Sequence, residues 1–263
     1  MPARVSAVAR ALDVLDAIRV SGGAAGVSEI SRAVDLPKST VHRILATLAD
    51  RKMVYKQQET DQYCFGYKAL ELGLSAFQGS DFIGIVMPHI EELRDRLDET
   101  VSVVLRLGYY YTYVARAISY REYYFTPTMG RHYPLHWAAT GKSMLAFLPD
   151  DELENYFDTV PLLPATEHTV TDPVVLRDQL EEIRAAGYAV SFGERVESAA
   201  AVAAPLRNRR RCAYGAVSVI IPGPRLRGRD SRALGVDVVA TCRDIEIACE
   251  MGGIDIGHVM GPQ

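Results

Sequence analysis

Residues 38 to 48 divide their side chains more sharply than any other stretch of this chain. Val41, Ile44, Leu45 and Leu48 recur at i, i+3, i+4 and i+7, while Lys38, Ser39, Thr40, His42, Arg43 and Thr47 take the other positions. On an α-helix that spacing makes one aliphatic stripe and one donor-rich face, so the segment must be covered on one side and left free to meet a polar surface on the other. What precedes it narrows the options. From Val5 to Ile18, the residues Val8, Leu12, Leu15 and Ile18 mark an amphipathic helix that Ser21, Gly22 and Gly23 end. A cap-like Ser28 opens a shorter helix with Ile30, Ala33 and Val34 on one face. Asp35, Leu36 and Pro37 form a tight connection, and Pro37 suits the first turn of a third helix running to about Asp50, where its missing N–H is not needed. A short helix, a three-residue turn and a helix exposing Lys, Ser, Thr, His and Arg near its start is the pattern of a helix-turn-helix, whose second helix enters the DNA major groove. Any three-helix unit shows similar amphipathicity, so plain packing is the alternative at this point.

Two further features favour DNA. Met53-Val54-Tyr55 and Tyr63-Cys64-Phe65-Gly66 flank the polar stretch Lys56 to Gln62 and read as two short strands joined by a turn, a wing. The charge is also unevenly spread. The whole chain carries −4, which on its own argues against a nucleic-acid partner, yet residues 1 to 66 hold nine Lys+Arg against seven Asp+Glu and the remainder 20 against 26. Lys38, Ser39, Thr40, His42, Arg43 and Thr47 on the helix and Lys56 on the wing are the expected contacts to double-stranded operator DNA, with Arg51 and Lys52 as further cations.

At 263 residues the chain is long enough for two domains, and 48% hydrophobic with 24% charged residues excludes disordered, collagen-like and coiled-coil classes. The four cysteines, Cys64, Cys212, Cys242 and Cys249, form no CxxC pair and no dense framework, which suggests a reducing compartment. No stretch builds a signal-peptide core or approaches ~18 consecutive apolar residues, so a cytoplasmic protein without a membrane span is expected. Cys242 and Cys249, seven apart on one expected helix, read as small buried hydrophobes and not as metal ligands. No metal site and no cofactor is expected.

Beyond residue 82 the pattern changes to mixed elements. Helices are expected at Phe82–Leu97, Ala138–Phe147, Asp151–Phe157, Val174–Ala186 and Ser231–Met251, and strands at Val101–Leu107, which alternates, and at Tyr188–Phe192, Ala199–Ala204 and Tyr214–Ile221. Together they suggest an antiparallel sheet flanked by helices, an α+β unit. Eight of the fourteen tyrosines fall between 109 and 133, where aromatic pocket lining and ordinary strand packing are both open. Thr140-Gly141-Lys142-Ser143 imitates a nucleotide phosphate loop, but His136 stands where the first glycine is required. The start of a helix near Ala138 still offers backbone N–H groups and a positive dipole end to a carboxylate, with Thr140 as an added donor. An enzyme is the alternative. Ser143, Ser218 and Cys212 lack a recognisable base, His132 and His136 lack an identifiable acidic partner, and Glu194 and Glu197, three apart, read more readily as two solvated glutamates than as an acid–base pair. His136 reads as a structural residue bonded to backbone.

Leu36-Pro37-Lys38-Ser39-Thr40-Val41-His42-Arg43-Ile44-Leu45 ahead of a wing resembles the DNA-binding domain of the IclR family of bacterial transcription regulators. The likeness continues through Tyr67 to Leu74, similar to that family's linker helix, and through Gly130 to Ser143 (GRHYPLHWAATGKS), similar to its effector-domain signature. Ala203-Ala204-Pro205 and Ser218 follow in place. Ser198 and Ala201 depart from the usual Gly and Cys. The resemblance implies a winged helix-turn-helix at 1–66, a linker helix at 67–81 and a GAF-like (profilin-like) effector-binding domain at 82–263. It implies an effector pocket involving Phe125, Tyr133, Ala139, Thr140, Ser191, Ala199, Ala201, Ser218 and Ile220. So weakly polar a lining beside one helix terminus suits a small organic acid with an apolar or aromatic body. Leu70, Leu74 and Phe77 form a stripe on the linker helix that suits burial against a second copy, giving a homodimer or a dimer of dimers.

Overall fold

The computed structural model describes residues 6–76 and 82–254, which belong to two units, Met1–Gln78 and Gly79–Gln263. In the first, helix α1 (Ser6–Val20) packs on α2 (Val27–Ala33) and α3 (Lys38–Asp50), burying Val14, Ala17 and Ile18 against Ile30, Val41 and Leu45. Only the C-terminal half of α1 is covered. Val8 and Leu12, expected on its core stripe, are exposed, because the helix runs past the elements it packs against. Ser28 lies inside the first turn of α2, not at its cap, which is Gly26, and the expected face keeps only Ile30 fully buried while Ala33 is exposed. Pro37 serves as the N-cap of α3 (φ −55°, ψ 141°), one residue earlier than expected.

Strands β1 (Ala24–Ala25), β2 (Val54–Lys56) and β3 (Tyr63–Phe65) make an antiparallel sheet in the order β1-β3-β2. The two-residue β1 is too short to leave a periodic trace in the sequence. Gly66 closes the wing, since a Cβ there would collide with the carbonyl of Lys52. Helix α4 (Tyr67–Ala76) follows with Tyr67, Leu70 and Leu72 exposed. The Leu74 side chain and all of Phe77, expected on the same stripe as Leu70, lie outside the described residues.

The second unit is a six-stranded antiparallel sheet with helices on both faces. Its strands β4 (Thr100–Leu107), β5 (Tyr110–Ala117), β6 (His132–Pro134), β7 (Ala189–Phe192), β8 (Ala199–Arg207) and β9 (Ala213–Pro222) lie in the order β6-β5-β4-β9-β8-β7. Helices α5 (Phe82–Leu97) and α10 (Ser231–Met251) cover one face; α6 (Ala138–Leu145) and α8 (Pro173–Ala186) cover the other, with α7 (Asp150–Thr159) beside them, and α9 (Gly223–Arg227) follows β9. Period-two alternation divides each central strand between the two cores. Val217, Val219 and Ile221 of β9 face α5 and α10, whereas Ala216 and Ile220 face α6. Covered on both sides, β4 buries Ser102 as well as its valines and so does not alternate between core and solvent as its sequence suggests.

Helix α6 is buried along its whole length. It sits so close to the preceding turn that a Cβ on Gly141 would collide with the Leu135 carbonyl, a backbone contact that cannot yield cheaply. Gly141→Ala is expected to destabilise the protein by about 1 to 3 kcal/mol, read from the midpoint of urea unfolding.

Candidate DNA-reading surface and effector pocket

Helix α3 presents Lys38, Ser39, His42, Arg43 and Thr47 to solvent, with Thr40 half-buried, directly opposite Val41 and Leu45. Its first turn contains no acidic residue, so no side chain there opposes the positive end of the helix dipole. Thr47 Oγ1 donates to the Arg43 carbonyl at 3.0 Å, so this hydroxyl proton is already engaged. On the wing, Lys56 Nζ lies 2.5 Å from Asp61 Oδ1, and that hydrogen bond raises its pKa above the ordinary lysine range. A phosphate reaching Lys56 competes with Asp61. Arg51 and Lys52 are exposed ahead of β2.

In the second unit a small cavity, about 20 Å³, lies between the start of α6 and the β7–β8 loop. Thr140, Ser191, Ala199, Ala201 and Ile220 line it together with Tyr113, Ala138, Glu194, Arg195, Val196 and Ala200. Its polar groups hold one another. The Ala139 amide donates to Ser191 Oγ at 2.8 Å, and the hydroxyls of Thr140 and Ser218 lie 2.7 Å apart. Ala138 takes a left-handed conformation (φ +57°), a strained geometry for a residue with a Cβ, and this turns the chain into α6. Lys142, 2% exposed, points inward and ties α6 to the loop: Nζ donates to Glu194 Oε1 at 2.5 Å and to Gln179 Oε1 at 2.9 Å. The half-buried guanidinium of Arg195 lies 4.9 Å from the centre of the Tyr133 ring and 5.7 Å from that of Tyr113. It forms no ion pair among the described residues. Burial pushes the phenols of Tyr111 and Tyr113 up, so both stay protonated. Beside the pocket, His136 Nε2 donates to the Leu163 carbonyl at 3.0 Å and Nδ1 accepts from Tyr156 Oη at 2.7 Å.

These two constructions, an exposed basic helix with a wing and a sheet-borne pocket, agree with what comparison with known proteins finds. A family model described as the IclR helix-turn-helix domain matches residues 7–58, and one described as the bacterial transcriptional regulator IclR C-terminal matches residues 74–247. The chain belongs to the IclR family. The HTH-type transcriptional regulator BhcR of Paracoccus denitrificans is 31% identical over 245 residues, spanning 92% of this chain and 86% of BhcR. The regulator KipR of Bacillus subtilis is 30% identical over 193 residues, 73% of this chain and 77% of KipR. Among solved structures, a transcriptional regulator of Rhodococcus sp. RHA1 superposes with a TM-score of 0.77 at 28% identity, covering 94% of this chain and 99% of that one. The IclR regulator of Alicyclobacillus acidocaldarius shares the fold with a TM-score of 0.82 at 24% identity, covering 94% and 99%. The protein is a ligand-responsive, DNA-binding transcription regulator.

In this IclR regulator, five of the nine pocket residues expected from the sequence line the cavity. Ala139 and Ser218 stand behind it, bonded to Ser191 and Thr140, while Tyr133 meets it through Arg195. Phe125 packs on the same core cluster without lining the cavity. Glu194 is not solvated as expected: it is 8% exposed and bound to Lys142, while Glu197 is exposed. Arg195, absent from the expected set, is the principal omission; a single arginine in a loop has no periodicity to betray it. Cys242 and Cys249 pack in the α10 core, where burial raises both thiols, Cys249 to about 11. No cluster of His, Cys, Asp and Glu fit to hold a metal occurs among the described residues, and no described helix is long and apolar enough to cross a membrane.

Desolvation lowers the pKa of His136 below its ordinary value of about 6.5. The unfolded chain therefore takes up the proton first as pH falls, and the stability that the neutral imidazole contributes is present above that value and lost on acidification through the folded pKa. Urea-unfolding free energies should decline as pH falls below about 6.5. His136→Gln should flatten that decline while lowering stability at pH 8.

Proposed function

We propose that the protein is a cytoplasmic, homodimeric regulator whose second unit senses a small organic acid with an apolar or aromatic body and thereby alters operator binding by the first. The observation that carries the acid is Arg195, a half-buried guanidinium against two tyrosine rings that no carboxylate of the described residues neutralises. Arginine stays charged at every working pH and offers a bidentate fork to a carboxylate. The neighbouring start of α6 adds a positive dipole end. An IclR homologue of Microbacterium hydrocarbonoxydans, 22% identical and alike in fold (TM-score 0.81), has been solved in complex with 4-hydroxybenzoate. The antiparallel sheet with helices on both faces agrees with a GAF-like (profilin-like) sensor.

The dimer is supported by apolar side chains left exposed on the DNA-binding unit, Val8 and Leu12 on α1 and Tyr67, Leu70 and Leu72 on α4. Two copies related by a twofold would bring two α3 helices to half-sites about one helical turn, ~34 Å, apart, and pairing of such dimers would give a dimer of dimers. For the acid to act as a signal it must bind two arrangements of the dimer unequally, a coupling of typically ~1 to 3 kcal/mol.

Arg43→Ala should weaken operator binding by roughly 1 to 3 kcal/mol and relax preference at one base step, measured by fluorescence anisotropy on a substituted operator set. Lys56→Ala should weaken all sequences alike and flatten the salt slope, and Asp61→Asn, which frees Lys56, should strengthen all of them. In a thermal-shift screen of aliphatic and aromatic carboxylates, an acid at 100 times its Kd should add ~2.7 kcal/mol of stability. Arg195→Gln should abolish that gain; retention of full acid affinity by this variant would refute the reading.

A further inference from the structure

The same cavity holds a second group that an acid alone leaves unanswered, and the following rests on the organic-acid reading above. Glu194 is 8% exposed, Lys142 takes its Oε1 at 2.5 Å, and its Oε2 is buried with no hydrogen-bond partner. A carboxylate oxygen left bare in an interior is costly unless something donates to it. Glu194 and Arg195 are consecutive and both line the cavity, so a ligand held by one is within reach of the other.

Charge decides what kind of donor fits. Lys142 and Arg195 outnumber Glu194 by one positive charge, which a monocarboxylate cancels. An amino acid would answer Oε2 with its ammonium but, being neutral overall, would leave the excess charge buried. A dicarboxylate would overshoot and bring no donor. A hydroxyl donates without adding charge. We infer that the effector is a small hydroxy acid, its carboxylate paired with Arg195 and its hydroxyl donating to Glu194 Oε2. Ala138, Ala199 and Ala201 line the same cavity, whose volume of about 20 Å³ accommodates the acid only when its walls move apart.

The test is isothermal titration of the full-length protein with matched pairs differing only in the hydroxyl, lactate against propionate and 4-hydroxybenzoate against benzoate. In at least one pair the hydroxy acid should bind about tenfold more tightly or better, as expected for a hydrogen bond to a charged acceptor. Glu194→Gln should reduce that ratio to about twofold or less while the deoxy acid still binds. If the variant fails to fold by circular dichroism, Glu194→Asp, which keeps the charge facing Lys142, replaces it, and the wild-type ratio decides independently. Equal binding within both pairs would overturn this inference and leave the organic-acid reading standing. Binding of none of the four would remove both. An undiminished hydroxyl preference in a folded Glu194 variant would overturn the part assigned to that residue.

Discussion

The pocket of the second unit exists because Lys142 and Glu194 meet where water is excluded. The pair joins the middle of α6 to the β7–β8 loop across 52 positions of sequence, and Gln179 on α8 takes another of the lysine's protons. Buried ion pairs seldom add net stability, since desolvation offsets most of the attraction, but removing one partner leaves a bare charge inside. The consequence is geometric. With α6 and the loop tied together, Ser191 meets the Ala139 amide, Thr140 meets Ser218, and Arg195 is carried over Tyr113 and Tyr133.

The DNA-binding unit follows the opposite principle. Its cations stay in solvent, where each interaction is individually weak and screened, and the small core of Val14, Ile18, Ile30, Val41 and Leu45 serves chiefly to hold one helix face outward. The whole-chain charge of −4 hides this division of labour, because the basic segment is short and the acidic remainder long.

What the sequence makes legible is what repeats. The stripe of α3 and the ends of α5 and α10 can be read directly, since each spans at least three helical turns of consistent spacing. The outer half of α1 misleads, because an apolar residue looks the same whether it faces its own core or stands exposed, as Val8 and Leu12 do. The pocket is legible only in part, and for a specific reason. Small residues on β8 and β9 and the hydroxyls near α6 belong to a recognisable signature, but the groups carrying charge sit in a loop. There Glu194 and Glu197 look equivalent until folding buries one and exposes the other. Lys142 misleads in the same way. Within TGKS it suggests a phosphate ligand, and only the long-range contact to Glu194 reveals an internal cation.

The alternation along β9 has a mechanical consequence. Ser218 and Ile220 stand on the α6 side of the sheet; Val217 and Val219, one peptide away, are the seat on which α5 and α10 rest. Close-packed interiors compress little, so a strand that is core on both faces has no slack in which to dissipate a displacement. The sheet is a partition one backbone thick. A shift imposed on one side therefore presses on the helices packed against the other.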